Sequence, residues 1–481
     1  MNINYLKILI TTSFLASPLF FPIWAVGGED DDLSFLPPTS NETSEVLEAT
    51  NPKEPLSIVK QKSVKLTFDN TLQSTQLKDT TEQTFQLPNS DQPDWNNLSR
   101  LNMQVDKALG KSVSLKIDQL VNAYTREGES FKSSKDLRLD IKEAYVSWQK
   151  SPTLFFDVGR INVKNGIATG FNPTDYFKAG TVLDRNTEDV SQLRDARLGA
   201  LLAQGQKLWE GGSATLIASP KISYKTDNWT SDKNITGLNL HKSNDRTRTL
   251  IKLTHEISEG FSPELIYYNE SGNHNIGLNF SKVLNKKMFA YMEWNIGKRR
   301  QLIDEAFLDA RESHQLIPEI SQKFDTDNGE KYLQQLAVGA SYTSASNVTT
   351  KLEYHYNEAG LSSSEAQTWF DLGLNTKNPA VVGQLLSLRG LAQSKGEMLG
   401  QHRLFLYSTW QDVGMDDLDL TGLVMGDLND SSHLLQVKMA YSPNKSTEVS
   451  LQAAKFNGDN DSFYGSLNQD NSVTAGFKYN F

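Results

Sequence analysis

Cysteine is absent from the 481 residues, which excludes disulfide scaffolds, cysteine-ligated zinc and thiol catalysis together. Basic residues are in deficit, 48 Lys and Arg against 58 Asp and Glu, giving a net charge of -10. A nucleic-acid partner, which calls for a clustered basic surface, is not expected of such a chain. Past the N-terminal segment, no stretch approaches the roughly 18 uninterrupted apolar residues that a membrane helix needs. Mean hydropathy is -0.48, ordinary for a soluble protein of two or three domains. That average misleads where strands alternate, because a barrel can sit in lipid with modest mean hydropathy.

Catalytic and metal motifs are lacking too. Gly110-Lys111-Ser112 has Val105 where a phosphate loop needs its first glycine, and it reads as a hairpin turn. His255-Glu256 lacks the second histidine of a zinc helix, and the seven histidines are scattered without ligand spacing. Asp325, Asp327 and Gly329 miss a calcium loop because the glycine comes one place early. No Gly-x-Ser-x-Gly elbow occurs. No cofactor or metal is expected, and the chain does not read as an enzyme.

Three segments are expected. Residues 1-25 read as a secretory signal: Lys7, then an apolar run from Ile8 to Ala25 broken by Pro18 and Pro22, with Ile23-Trp24-Ala25 as the cleavage site. Residues 26-60 hold eight acids against Lys53 and Lys60, with Pro37-Pro38-Thr39-Ser40 among them, and read as a flexible acidic periplasmic tail. Residues 61-481 are the folded part, without a repeat of solenoid length.

What that part has in abundance is alternation. Val473, Ala475, Phe477, Tyr479 and Phe481 point one way, while Thr474, Gly476, Lys478 and Asn480 point the other. Met288, Ala290, Met292, Trp294 and Ile296 oppose Glu293 and Asn295, and Val348, Thr350, Leu352, Tyr354 and Tyr356 oppose Lys351, Glu353, His355 and Asn357. Each strand has one apolar and one polar face. In a soluble sandwich the apolar face is the core. In a membrane barrel it meets lipid, and the polar face lines a wet lumen.

The connections separate these readings. Strands are expected at 63-72, 97-109, 112-124, 136-148, 153-161, 195-206, 211-219, 247-257, 261-269, 273-283, 287-296, 332-343, 347-357, 402-411, 417-426, 432-442, 445-456 and 471-481. Even-to-odd links are short, such as Gly110-Lys111, Ser344 to Ser346 and Pro443-Asn444. Odd-to-even links include every long one: 73 to 96, 162 to 194, 220 to 246, 297 to 331, 358 to 401 and 457 to 470. Tight periplasmic turns alternating with long extracellular loops are the pattern of outer-membrane barrels, and a sandwich has no reason to keep its long loops at one end. The expected fold is an all-β transmembrane antiparallel barrel of about 18 strands, with 16 as the other count.

Two resemblances follow. The alternating aromatic end, Tyr479 and Phe481, resembles the terminal assembly signal of Gram-negative outer-membrane proteins. Residues 137 to 220 hold Glu143-Ala144-Tyr145-Val146, Asp157-Val158-Gly159-Arg160, Asn165-Gly166, Gly170-Phe171-Asn172-Pro173-Thr174-Asp175-Tyr176-Phe177 and Arg197-Leu198-Gly199. This segment resembles the porin-like barrels related to the alginate-export family, in which a strand ending in Gly-Arg leads into a long loop with an Asn-Pro motif. The resemblance implies barrel type and says little of substrate, since a dense arginine lining suited to a polyuronate is not present.

The loop from Asn162 to Arg194 balances Lys164, Lys178, Arg185 and Arg194 against Asp175, Asp184, Glu188 and Asp189. Folded into the lumen, it would set facing charges across a constriction; left outside, its charges would only keep it soluble. Arg138, Asp140 and Lys142 precede a phase slip to Glu143 and Tyr145 that suggests a bulge, and Lys252, Glu256, Lys351, Glu353 and Lys438 recur on polar faces. Facing lipid, the basic ones would cost roughly 2 to 4 kcal/mol each near the midplane, so inward orientation is expected. Candidate pore-lining and constriction residues are Arg160, Asp175, Asp184, Arg185, Arg194, Arg197, Lys351 and Glu353. The expected function is an outer-membrane channel for passive passage, with or without selection, of a hydrophilic solute or polysaccharide, with outer-membrane lipid, lipopolysaccharide and the assembly machinery as partners. The alternatives are a barrel enzyme acting on lipids, with His355 or His402 meeting a serine, and an adhesin or receptor carried by loops 297 to 331 and 358 to 401.

Overall fold

The computed structural model describes residues 63–78, 85, 93–183, 194, 196–222, 239–325 and 329–481. The signal segment and acidic tail lie outside these residues, as do Asp184, Arg185, Glu188, Asp189 and Asp327. Eighteen strands follow one another: β1 Ser63–Leu77, β2 Trp95–Ala108, β3 Val113–Arg126, β4 Leu137–Ser151, β5 Leu154–Ile161, β6 Ala200–Trp209, β7 Gly212–Ser219, β8 Arg248–His255 and β9 Glu264–Glu270. The second half comprises β10 Asn273–Asn285, β11 Met288–Arg299, β12 Lys331–Thr343, β13 Val348–Asn357, β14 His402–Trp410, β15 Leu418–Asp427, β16 His433–Asn444, β17 Thr447–Asn457 and β18 Gln469–Asn480.

Each strand pairs antiparallel with its neighbours in sequence, and β1 pairs with β18, so the sheet closes on itself. The seam runs from Thr67 opposite Asn480 to Leu77 opposite Gln469. It is finished by the Phe481 amide, which donates to the Leu66 carbonyl at 2.9 Å. Among the described residues no helix is long and apolar enough to cross a membrane.

The faces are inverted relative to a protein cored in water. Val158, Leu216, Leu352, Leu451 and Val473 are exposed on the outside, whereas Asp118, Asn122, Glu293, Glu353 and His355 are buried inside. Period-two side chains dictate this once one face is chosen. The phase slip in β4 is a bulge: Asp118 pairs with Glu143 and Gln119 with Ile141, leaving Lys142 as the extra residue. Both Lys142 and Glu143 thereby face inward, where Lys142 meets Asp118 at 3.0 Å and Glu143 meets Lys116 at 4.0 Å.

Three expectations need correction. β6 starts at Ala200 rather than 195, because Val182 bridges Arg197 and the Leu183 and Leu198 amides bond back to Ala196 and Thr181, keeping 196–199 in the loop. β8 stops at His255, so Glu256 lies in the β8–β9 turn and not on the wall. The long connections, expected as loops, also contain helices. These are α1 Ser133–Asp136, α2 Leu240–Ser243, α3 Leu302–Ala306, α4 Leu308–Glu312, α5 Pro318–Ser321, α6 Ser363–Asn375 and α7 Pro379–Lys395.

The signals for the two longer helices are local. Ser362 and Glu365 form a reciprocal capping box on α6. α7 has Asn378 as N-cap, Pro379 in its first turn and Gly396 in the left-handed region after its last. Trp369, Phe370, Leu385 and Leu388 from these helices pack with Leu302, Phe307 and Ile320 into an apolar cluster at the loop end of the barrel. Phe85 from the β1–β2 connection and Phe463 from the β17–β18 connection complete it. Burial alone would push the Glu397 carboxyl up, but the paired Arg299 bonds at 2.9 Å, with Lys395 nearby, hold it at about 2. The helical layer is thus anchored to the end of β11.

Because the last strand closes the sheet, Phe481→Asp or deletion of Phe481 should sharply reduce the fraction that migrates as a compact band on unheated gels. Lys111→Ala in the exposed β2–β3 turn should leave it unchanged. Equal compact bands for all three variants would show that closure does not depend on the chain end.

Candidate functional site

The β5–β6 connection leaves the wall at a point only glycine can occupy. Gly159 has φ +139°, and a Cβ there would strike the Ala144 carbonyl and Tyr145 Cα. Next to it Arg160 is buried, donating from Nε to the Gly199 carbonyl at 2.8 Å and from Nη2 to Ser243 Oγ at 3.3 Å. Gly199 is equally constrained, since a Cβ would meet the Ile161 backbone. The Asn162 amide donates to Glu143 Oε1 at 2.8 Å. These contacts fix the root of the loop.

From that root the chain runs through the interior to the opposite wall. Strands β6 to β12 lie between β5 and β13 in one direction, and β14 to β18 with β1 to β4 lie between them in the other. Nevertheless Thr169 and Gly170 donate their amides to Glu353 of β13, at 2.7 and 2.9 Å. Ile167 and Ala168 donate theirs to Glu293 of β11, the latter at 2.6 Å. Four successive N–H groups are therefore clasped by two wall carboxylates. Glu293 also accepts from Thr174 Oγ1 at 3.2 Å, and Glu353 from Tyr291 OH and from His355 Nε2 at 2.7 Å.

Close approach explains the glycines of the segment. A Cβ on Gly166 would fall on the Glu293 carboxylate, and one on Gly170 would lie 2.6 Å from His355 Cε1 and 2.7 Å from the Phe405 ring. Beyond the tip, the Asn172-Pro173-Thr174-Asp175 turn folds the chain back. Lys178 Nζ donates to the Asn172 carbonyl at 2.7 Å and sits 4.6 Å from the Phe171 ring centre. Burial holds the Lys178 ammonium below the ordinary lysine range despite Glu397 and Asp175 nearby. Asp175 meets Arg197 at 2.8 Å and Arg194 at 3.8 Å. Arg194 Nη2 donates to the carbonyls of Asn165 and Gly166 at 2.6 and 2.8 Å. Tyr176 stacks on Tyr268 at 4.3 Å and donates to Asn295 at 2.8 Å, and Phe177 packs with Leu202, Ile217, Leu250 and Ile266 against the β6–β9 wall.

The remaining wall carries ion pairs within itself: Arg100 with Asp69 at 3.0 Å, Arg138 with Asp140 at 2.7 Å and Lys438 with Glu448 at 3.6 Å. Lys252 of the loop-side wall meets Glu264 at 3.1 Å.

Of the candidate residues, Arg160, Asp175, Arg197 and Glu353 are brought into the loop and its root, where they are buried as fasteners. Arg194 joins them, and Lys351 Nζ reaches Thr169 Oγ1 at 3.4 Å. Asp184 and Arg185 lie outside the described residues. Tyr479 and Phe481 are far off on the closing strand, their rings 4.8 Å apart. Sequence reasoning placed Glu293 and His355 on polar strand faces without joining either to the loop, and it missed Tyr291. All three sit on plainly alternating strands: Glu293 bonds loop residues more than a hundred positions away, which local spacing does not mark, while Tyr291 and His355 bond Glu353, 62 and 2 positions away.

No family model matches the chain, and no curated protein does either. Among solved structures, it is similar to Pseudomonas aeruginosa OccK11 (OpdR) at 10% identity and TM-score 0.46, covering 87% of this chain and 95% of that one. It is likewise similar to P. aeruginosa OccK3 (OpdO) at 10% identity and TM-score 0.47, covering 87% and 95%. For P. aeruginosa OprD the values are 11% identity and TM-score 0.45, covering 87% and 94%.

Proposed function

We propose that the chain forms an outer-membrane channel through which hydrophilic solutes of limited size diffuse. One observation carries this reading: a closed barrel with apolar side chains outside and charged ones inside is spanned internally by an ordered loop. An outward apolar face is stable in lipid, while Lys or Arg on it would cost roughly 2 to 4 kcal/mol near the midplane. A strapped interior leaves a narrowed route, which sets a size limit. Outer-membrane lipid and lipopolysaccharide are the surroundings that fit the outer face, and the assembly machinery is the partner that fits the terminal strand.

Selection by charge is expected to be weak. The wall cations that pair across neighbouring strands have acids 3.0 to 4.0 Å away, so their fields largely cancel at a distance. The lipid-enzyme reading is not favoured by the histidines. His355 faces inward onto Glu353, and His402 Nδ1 lies 2.8 Å from Tyr354 OH, so neither bonds a serine among the described residues.

Deleting residues 167–174 should raise single-channel conductance and admit larger uncharged solutes. Gly170→Ala should act in the same direction, because its Cβ cannot share space with His355 and Phe405. Conductance equal to the parent in both variants would place the constriction elsewhere.

In a salt gradient the parent should show a reversal potential close to zero. Asp118→Asn removes the acid opposite Lys142 and should shift the reversal potential toward anions, an effect that added salt weakens by screening. A strongly ion-selective parent would contradict the paired-wall argument.

A further inference from the structure

The clasp between wall and loop consists of acceptors on one side and donors on the other. Glu293 faces the Ile167 and Ala168 amides, Thr174 Oγ1 and Asn172 Nδ2; Glu353 faces the Thr169 and Gly170 amides, Tyr291 OH and His355 Nε2. A carboxylate accepts from all of these. A protonated carboxyl brings an O–H of its own into a ring of donors and has lost the charge that strengthens each bond. We infer that protons govern the seating of this loop: acidification detaches residues 167–170 from β11 and β13 and widens the passage, a regulation that rests on the channel reading above.

The direction of movement follows from what remains. Once the clasp opens, the loop is still held behind its tip by Tyr176 on Asn295 of β11, and on its root side by Asp175 on Arg197 and Phe177 in the apolar cluster. The tip then withdraws toward β5–β9 and away from β13.

The two carboxylates differ in their surroundings. Glu353 has His355 and Lys351 on its own strand, Tyr291 on β11, and Arg403 on β14 opposite His355. His355 Nε2 carries the hydrogen it donates, and Nδ1 has no hydrogen-bond partner among the described residues. A proton taken up at Nδ1 leaves Glu353 charged and its two amides held. Glu293 has no such relay. Its charged neighbours are Arg194, bound to loop carbonyls, and Glu353 with like charge; on the β10 side Asn279 separates it from Glu264 and Lys252. Tyr291 of β11 and Asp175, Tyr176 and Lys178 of the loop complete the set, engaged with Glu353, Arg197, Asn295 and the Asn172 carbonyl in turn. Glu293 is therefore the site at which the first proton loosens the clasp.

The test is single-channel conductance of the whole barrel in planar bilayers, scanned from neutral to acid pH. The parent should gain conductance on acidification. Glu293→Gln, which copies the shape of the protonated acid, should already conduct at the acid level at neutral pH and lose the pH response. Glu293→Asp, which keeps the charge, should retain a response, and compact migration on unheated gels verifies that each variant is folded. The channel lacking residues 167–174 separates the two claims. If that channel conducts more than the parent while the parent is flat with pH, the loop narrows the pore but protons do not move it, and the inference falls. A parent response that survives unchanged in both Glu293→Gln and Glu353→Gln overturns it as well. If the deletion itself leaves conductance unchanged, the channel reading fails first.

Discussion

Every backbone N–H and C=O in a lipid-facing sheet must find a partner within the sheet, because hydrocarbon offers none. The β1–β18 seam meets that requirement, and much else follows from it. Closure removes the edges that would otherwise template aggregation. It also leaves each strand only two environments, the outer surface and the lumen, so side chains of period two sort themselves between them. The charged groups then have a single place to go, and in the confined interior they meet one another. Arg100 with Asp69, Arg138 with Asp140 and Lys438 with Glu448 are consequences of closure, not an independent source of stability. Pairs of this partly exposed kind contribute only about 0 to 1 kcal/mol each.

How far the sequence carried the fold depended on whether the information was periodic. The eighteen strands were legible because alternation is written in consecutive residues and because short and long links take turns. The bulge at Lys142 was legible as a slip in that alternation. The start of β6 was not, since Arg197 continues a strand-like pattern and is held in the loop by Asp175, a partner that pattern does not reveal. Helices α6 and α7 carried readable caps in Ser362, Glu365, Asn378, Pro379 and Gly396, but a reading tuned to period two passed over them.

The candidate site was legible in half. Residues 157 to 199 contain the glycines and the Asn-Pro turn that a closely packed loop requires, and Gly159, Gly166, Gly170 and Gly199 lie where a Cβ would find no room. What the loop touches was hidden, because Glu293 and Glu353 look like any other inward-facing acids of their strands. Their distinguishing feature is geometric. In water four successive amides would bond to solvent; here all four bond to protein, and ordering such a segment costs about 1 to 2 kcal/mol per residue in backbone entropy. Charge-assisted bonds to two carboxylates are among the few contacts strong enough to offset that cost across a wet lumen.

The two sides of the interior are consequently unlike. Toward β5–β9 the loop returns with Phe177 and Tyr176 against Leu202, Ile217, Ile266 and Tyr268, a packed apolar contact that excludes water. Toward β1–β4 and β16–β18 the wall presents Thr67, Gln104, Gln452, Thr474 and paired charges, and the registers of these strands place them on the inward face. Water favours the second surface, because its amides and hydroxyls can exchange hydrogen bonds with solvent at little net loss. An attachment at β13 made of polar contacts holds the tip without extending the apolar core across the barrel. The loop is thus seated over one half of the lumen while polar groups line the other half, the asymmetry that the proposed size-limiting passage requires.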